Sequence, residues 1–179
     1  MQQYLPYIAI GAAALVLIAV TVVLARLAWR RQVRRFIVTL TGHRENIASA
    51  LKTAESVLTS LAASDVDSVL AFAAAESEDR RALREIAERM RMEMGELDGM
   101  ALPKKLWPLA DQLGRTAGLL AEETGRVGDG VGESVLDGLL AIDLAGVGAA
   151  LAEAGGECER MAAAYKLTDS AVYGGGLYI

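Results

Sequence analysis

Cysteine, histidine and proline are almost missing from this chain. It has one cysteine, Cys158, one histidine, His43, and three prolines in 179 residues. One cysteine excludes an internal disulfide, and one histidine excludes any metal site that needs two histidines from one chain. We therefore expect no metal and no cofactor. Acidic neighbours disfavour a thiolate, so we interpret Cys158 as a structural residue.

The motifs of catalytic and phosphate-binding sites are also missing. The glycine-rich run over 125–132 lacks the Lys-Ser/Thr pair of a phosphate loop. Ser134 follows Gly132-Glu133, but Leu136 stands where a nucleophile elbow has its second glycine. We interpret the run as a flexible loop between helices, and we expect a protein that is not an enzyme.

Charged side chains are missing from residues 4 to 25, where alanine, leucine, isoleucine and valine fill nearly every position. As a helix, these 22 residues span about 33 Å, enough to cross the hydrocarbon core of a bilayer. No basic side chain precedes the run and no small-residue cleavage pattern follows it, unlike a secretory signal peptide. The sequence predicts an uncleaved transmembrane helix over 4–25, after a short extracytoplasmic N-terminus over 1–3.

A basic juxtamembrane segment over 26–35 follows the apolar run. Basic flanks are retained in the cytoplasm, and tryptophan favours the headgroup level. We therefore expect a single-pass protein of the cell membrane, with its N-terminus outside and its domain in the cytoplasm. Packing of Trp29 against the domain is the alternative. The residues predicted to lie at the membrane interface and to set the topology are Arg26, Trp29, Arg30, Arg31, Arg34 and Arg35.

The rest of the chain is acidic. All 23 acidic residues follow residue 35, and 13 of the 18 basic residues remain after the five arginines of the juxtamembrane segment, which leaves a net charge of −10. An anionic membrane surface repels such a domain, and nucleic acid does so too. We expect the lipid bilayer and either a protein partner or self-association, and no nucleic acid.

Long stretches rich in alanine and leucine carry apolar residues three and four positions apart, which is the pattern of helices. We predict an all-α fold, in which a single N-terminal transmembrane helix leads into an antiparallel bundle of about four helices over 36–168. The first helix continues from the membrane, with Gly42 as a possible hinge and His43 as a solvated residue beside the membrane. Its predicted packing seam is Ile47, Leu51, Ala54, Leu58 and Leu61.

Three further helices complete the predicted bundle. The second begins at Ser64 as N-cap, runs to about Leu97 and has a break near Glu76. The third begins at Pro103 and contains Trp107, which we expect in the core. The fourth covers about 133–165. Its stretch over 138–152 is apolar enough to raise the alternative of a second membrane segment, but its acids favour a buried helix. The buried leucines predicted for the third helix are Leu106, Leu109, Leu113 and Leu120.

The stretch over 169–179 reads as a flexible glycine-rich tail with apolar residues beyond the glycines. Docking on a partner, folding back onto the bundle and disorder remain open for it. Its candidate docking residues are Tyr173, Leu177, Tyr178 and Ile179. The leading hypothesis is a membrane-anchored, non-catalytic interaction or scaffold protein. The alternative is a membrane-tethered sensor whose bundle binds a small apolar ligand, and the residues that would line that site are Met90, Met92, Met94 and Trp107.

Overall fold

The structure, a computed structural model, describes residues 5–74 and 76–167, and their side chains from residue 17 onward. This part of the chain is built from helices, which confirms the all-α class. Four long helices form an antiparallel bundle, and two short ones close one end of it. The helices are α1 (Leu5–Ala62), α2 (Val66–Ala74), α3 (Glu78–Gly99), α4 (Trp107–Gly128), α5 (Glu133–Ala141) and α6 (Leu144–Ala164), with a 3-10 turn over Lys104–Leu106 ahead of α4.

Helix α1 joins the predicted membrane segment to the bundle without a break. Its 58 residues correspond to a length of about 87 Å. The predicted seam is buried from Ile47 to Ala54 and half-buried at Leu58 and Leu61. The predicted hinge at Gly42 is wrong, because the helix continues through it. A glycine inside a helix costs only about 1 kcal/mol and does not by itself end the helix.

Helix α6 runs antiparallel to α1 in a regular register. The contacting pairs are separated by three or seven residues along α1, and by the same numbers of residues in the reverse direction along α6. This is the heptad spacing of straight paired helices. Small side chains on α6 leave room for the larger side chains of α1, so that the two helices pack closely. The residues that meet across this interface are Arg34 and Tyr165, Thr41 and Cys158, Arg44 and Gly155, and Leu51 and Gly148.

Helices α3 and α4 form a hairpin with the same kind of register, in which three glycines of α4 face α3. The closest approach is at Gly128, where an added Cβ would lie 2.8 Å from the backbone nitrogen of Arg84. Glycine is therefore the residue that lets these two backbones come so close. The residues that meet along the hairpin are Met94 and Gly118, Ala87 and Gly125, and Arg84 and Gly128.

The beginning of α2 differs from the prediction by one residue. Asp65 is the N-cap, because its Oδ1 accepts a hydrogen bond of 2.9 Å from the backbone N–H of Ser68. The prediction that Ser64 caps this helix is wrong. The Ser64 hydroxyl donates to the carbonyl of Ser60 in the last turn of α1, so it is not available to the next helix. The predicted break near Glu76 is confirmed, since α2 and α3 are separate helices there.

Helix α4 bears out the predicted leucine stripe, and all four leucines are fully buried. The helix itself begins at Trp107, after the 3-10 turn that holds Leu106, and not at Pro103 as predicted. It also ends later than predicted, at Gly128. The predicted loop over 125–132 shrinks to 129–132 as a result. Gly125 and Gly128 belong to the last turn of α4 and pack against α3. They remain helical because this burial outweighs their low helix propensity.

The predicted fourth helix is two helices, α5 and α6, that meet at an angle of 45°. Asp143 causes the break, because its Oδ1 accepts a 2.8 Å hydrogen bond from the N–H of Gly146 and caps α6. The stretch over 138–152 is therefore not one continuous helix. Among the described residues, no single helix is long and apolar enough to cross a membrane, whereas the bent pair of α5 and α6 passes that test by length and composition.

Candidate membrane-facing and interaction surfaces

The first part of α1 extends beyond the bundle. Every described side chain from Leu17 to Gln32 is exposed, and packing begins at Val33, which is only 1% exposed. The extension is apolar as well as uncovered, which is unusual for a helix in contact with water. Its exposed large apolar residues are Leu17, Ile18, Val20, Val22, Val23, Leu24, Leu27 and Trp29.

The six residues predicted to mark the membrane interface all lie on the exposed surface of α1. Trp29 is 51% exposed, so the alternative of packing against the domain is wrong. Arg34 has a role that the sequence does not reveal. Its Nε and Nη2 donate to the carbonyls of Tyr165 and Lys166, at 2.9 and 3.2 Å, and so satisfy the C-terminal end of α6.

The two ends of the bundle have opposite charge. We call the segments 26–37, 100–107 and 162–167 the proximal end, since α1 leaves the bundle there. They carry eight basic residues and no acidic one. We call the segments 63–79 and 129–143 the distal end, and these carry nine acidic residues and no basic one. Five of the eight basic residues are the arginines of 26–35, and the other three are lysines of the chain after residue 35, whose net charge is −10. Charge is therefore distributed unevenly along the molecule, basic in the proximal segments and acidic in the distal ones.

A polar cluster joins α1 to α3 inside the bundle. His43 Nδ1 lies 2.5 Å from Glu93 Oε2, and Asn46 Nδ2 donates to Glu93 Oε1 at 2.6 Å. Glu93 is buried, and the side chain of His43 is 11% exposed. The prediction of a solvated His43 is thus wrong, because α3 covers this face of α1. Fifty residues separate the partners, so no local pattern reveals the contact.

Glu96 extends this cluster and completes a set of possible metal ligands. One ligand atom each of His43, Glu93 and Glu96 lies within 4.8 Å of the other two. One imidazole and two carboxylates are donors that a divalent transition metal accepts. Both oxygens of Glu93 are already engaged by His43 and Asn46, however. The arrangement is therefore explained by the hydrogen bonds that hold α1 and α3 together.

Cys158 is buried on α6, as the sequence predicts. Burial raises the pKa of its thiol, and the neighbouring Arg44 and Thr41, which act in the opposite direction, do not offset the effect. The thiol is therefore protonated at neutral pH and is a poor nucleophile. This residue fills space between two helices and offers no site for covalent chemistry.

The residues proposed for an apolar ligand site do not converge. Met90 is fully buried in the core, while Met92 and Trp107 are 63% and 55% exposed. The prediction that Trp107 anchors the core is wrong. Its indole Nε1 donates to the carbonyl of Leu102 at 2.9 Å, which fixes the ring at the surface over the 3-10 turn. Met94 lies against Gly118 between α3 and α4.

The short loop after α4 is tied down by ion pairs. Asp129 lies 3.3 Å from Arg84 Nε and 3.6 Å from Arg91 Nη2, both on α3. Arg80 reaches over to the carbonyl of Gly130. The loop is thus a structural connection, in which backbone carbonyls and a carboxylate face arginines.

The predicted docking residues Tyr173, Leu177, Tyr178 and Ile179 lie outside the described residues. The chain matches no protein-family model, no curated protein and no solved structure at a significant score.

Proposed function

We propose that this protein is a single-pass membrane protein that holds a non-catalytic helical interaction module at the cytoplasmic face of the cell membrane. The observation that carries the proposal is the apolar extension of α1, which no other described part of the chain covers. A bilayer is the environment in which such a surface is stable, because its backbone is satisfied within the helix and its side chains face lipid.

The sequence of the extension favours insertion by a clear margin. Residues 4–25 contain eleven leucine, isoleucine and valine residues and no charge. At 0.3 to 0.6 kcal/mol for each, these residues favour insertion by about 3 to 7 kcal/mol. The arginines that follow it favour the orientation with the bundle in the cytoplasm.

The unbroken α1 makes the module a rigid extension of its anchor. From Val33, where packing begins, to Ala62, where α1 ends, the helix covers about 44 Å. The acidic distal end is therefore held far from the lipid surface, beyond several Debye lengths of about 8 Å. A scaffold that presents this end to a partner needs such a spacer.

The polar residues inside the bundle support an interaction role over a catalytic one. His43, Glu93 and Asn46 bond to one another across two helices, and the Cys158 thiol is buried with a raised pKa. Each of these groups has a structural task where it lies. Among the described residues, the two charged ends are the surfaces that we assign to interaction.

Extraction of membranes with alkaline carbonate tests whether the first part of α1 anchors the protein in the bilayer. The change Ile18→Asp with Val22→Asp introduces two charges at about 3 kcal/mol each, enough to cancel the insertion free energy. We expect the unchanged chain to resist alkaline carbonate and the double variant to be extracted. Leu140→Asp with Val66→Asp, at exposed apolar positions of the distal end, is the matched control and should still resist. Release of the unchanged chain by carbonate would overturn the proposal.

A second experiment tests the interaction role. Crosslinking in native membranes, with and without residues 174–179, compares the partners captured and the thermal stability of the chain. A specific partner that depends on the tail supports docking. Lower stability with unchanged partners would instead place the tail on its own bundle.

A further inference from the structure

We propose that the proximal end of the bundle rests on the anionic headgroups of the same membrane through lysines and a tryptophan that lie far from the anchor in sequence. This inference depends on the proposed anchor and adds a second, electrostatic contact. The residues concerned are Lys104, Lys105, Trp107 and Lys166. They belong to the 3-10 turn, the start of α4 and the end of α6.

The register of α6 places Lys166 at this end. Tyr165 and Lys166 offer their carbonyls to Arg34, within the basic segment of α1. Because α6 is antiparallel to α1, its last turn lies level with the place where α1 leaves the bundle. The ammonium group of Lys166 therefore belongs to the same surface as Arg30, Arg31 and Arg34.

The hairpin of α3 and α4 places the other lysines there. Glu93 of α3 contacts His43 of α1, and α3 runs six residues further to Gly99, about 9 Å toward the N-terminus of α1. The turn over Lys104–Leu106 follows at the tip. Leu106 is fully buried, while Lys104 and Lys105 are exposed, so the tip is packed onto the bundle with its charges outward.

Within the described residues these charges have no carboxylate partner, although Arg34 donates to the carbonyls of Tyr165 and Lys166. None of the eight basic residues of the proximal end forms an ion pair with another described residue. Lys166 directly follows the C-terminus of α6, where the helix dipole also favours a positive charge. Lys104 and Lys105 instead precede the N-terminus of α4, where the dipole disfavours positive charge, so helix dipoles do not explain these two lysines. The acidic residues nearest in sequence to this turn are Asp98, exposed in the last turn of α3, and Asp111, which pairs with Arg115 on α4. A cluster of lysines and arginines without carboxylate partners beside a membrane anchor is the footprint of anionic lipid binding.

Trp107 gives the same surface an amphipathic ring. Its indole N–H is satisfied by Leu102, yet more than half of the residue is exposed. An exposed ring whose polar group is already bonded is suited to the headgroup layer, where tryptophan is enriched. Trp29, one helix away on α1, is exposed at the level where the anchor emerges.

The distances along α1 allow the anchor to span the bilayer while the proximal end contacts the headgroups. From Arg26 to Val33 the axis of α1 advances about 10 Å, while the headgroup layer of one leaflet is about 5 to 8 Å thick. The proximal end thus lies within a few ångströms of the headgroups. Lysine side chains cross that gap, and the Debye length of about 8 Å keeps the attraction unscreened.

Trp107 itself reports the contact. Only two tryptophans are present, so Trp29→Phe in the full chain leaves Trp107 as the sole tryptophan, which is excited selectively at a wavelength that the five tyrosines do not absorb. The protein is reconstituted into phosphatidylcholine vesicles with and without 30% phosphatidylglycerol, each containing a headgroup-level spin-labelled lipid. We expect strong quenching of Trp107 in the anionic vesicles and weak quenching in the neutral ones. Half-molar salt should abolish the difference.

Charge removal supplies the control. Lys104→Gln with Lys105→Gln should shift the equilibrium away from the docked state by about 25-fold, since each lysine near an anionic surface contributes a factor of about five. Lys52→Gln, exposed on α1 ten residues before its distal end, should change nothing. Equal quenching of Trp107 in both kinds of vesicle overturns the inference, and so does an effect of Lys52→Gln as large as that of the double lysine variant. Flotation of the protein with neutral vesicles would still support the anchor in either case. Failure to float with either vesicle overturns the anchor itself.

Discussion

The distal and proximal ends of the bundle differ in charge, and the two charges have different origins. At the distal end the acids serve the fold. Asp65 and Asp143 cap α2 and α6, and Glu78 and Glu133 lie in the first turns of α3 and α5. Four helix N-termini meet there, and their dipoles favour negative charge. At the proximal end Lys104 and Lys105 lie in the 3-10 turn ahead of the N-terminus of α4, where the helix dipole disfavours positive charge, so their charge points to a partner outside the chain.

The ends also differ in how closely their helices approach. Toward the distal end, Gly128 of α4 touches the backbone of Arg84, whereas Gly114 in the proximal half of the same helix has no atom within 4 Å of an added Cβ. The distal half is therefore fixed by backbone contact. The proximal half is held by side chains, with the cluster of His43, Asn46 and Glu93 between α1 and α3.

The largest effect should come from a matched pair of glycine substitutions on α4. Gly128→Ala forces the backbones of α3 and α4 apart, because its Cβ would lie 2.8 Å from Arg84 N, and should lower the free energy of unfolding by about 2 to 3 kcal/mol. Gly114→Ala should raise it by about 0.4 to 1 kcal/mol. Urea unfolding of the full chain in mild detergent, followed by circular dichroism, measures both. Equal effects would mean that the two halves do not differ in packing.

The polar cluster of the proximal half should give the next effect. Glu93→Ala leaves His43 and Asn46 without their acceptor, and should cost about 2 kcal/mol in the same assay. Glu88→Ala, exposed on the same helix, is the control and should stay within about 0.5 kcal/mol. A melting temperature that rises with Zn²⁺ in the unchanged chain, but not in Glu93→Ala, would instead make this cluster a metal site.

A smaller effect is expected at the bend between α5 and α6. Asp143→Ala removes the cap on Gly146 N–H and should cost about 1 kcal/mol. Asp137→Ala, exposed in α5, carries the same change of charge and should be nearly neutral. If both variants lost the same stability, the acids of the distal end would act through net charge and not through capping.

The sequence predicts what depends on neighbours along the chain. The seam from Ile47 to Ala54 and the buried leucines of α4 follow from apolar spacing, because a helix places residues three and four apart on one face. The break near Glu76 follows from a local cap at Ser77, whose side chain accepts from Arg80 N–H. These features need no knowledge of the tertiary structure.

What the sequence does not reveal depends on register between helices. The contact of His43 with Glu93 joins residues 50 apart. The placement of Lys104 and Lys166 at the same end of the bundle follows only when the directions of four helices are known. The exposure of Trp107 is a further example. A large ring is usually buried, but its N–H bond to the Leu102 carbonyl holds this one at the surface.

The smallest effect should be a pH dependence at Asp65. Its side-chain and backbone hydrogen bonds with Ser68 lower the pKa of the carboxyl below the usual 3.8. A lowered pKa in the folded state means that the ionised form stabilises the fold above pH 3.8, and that this contribution is lost as the pH falls through the folded-state pKa. Asp65→Ala should therefore melt below the unchanged chain at pH 7, and the two melting temperatures should converge as the pH drops from about 4 toward 2. Glu88→Ala, exposed in the middle of α3 and away from any helix N-terminus, is the control and should show no such convergence. A difference that persists undiminished at pH 2 would show that Asp65 stabilises α2 without its charge, and the dipole explanation of the distal acids would fail at this helix.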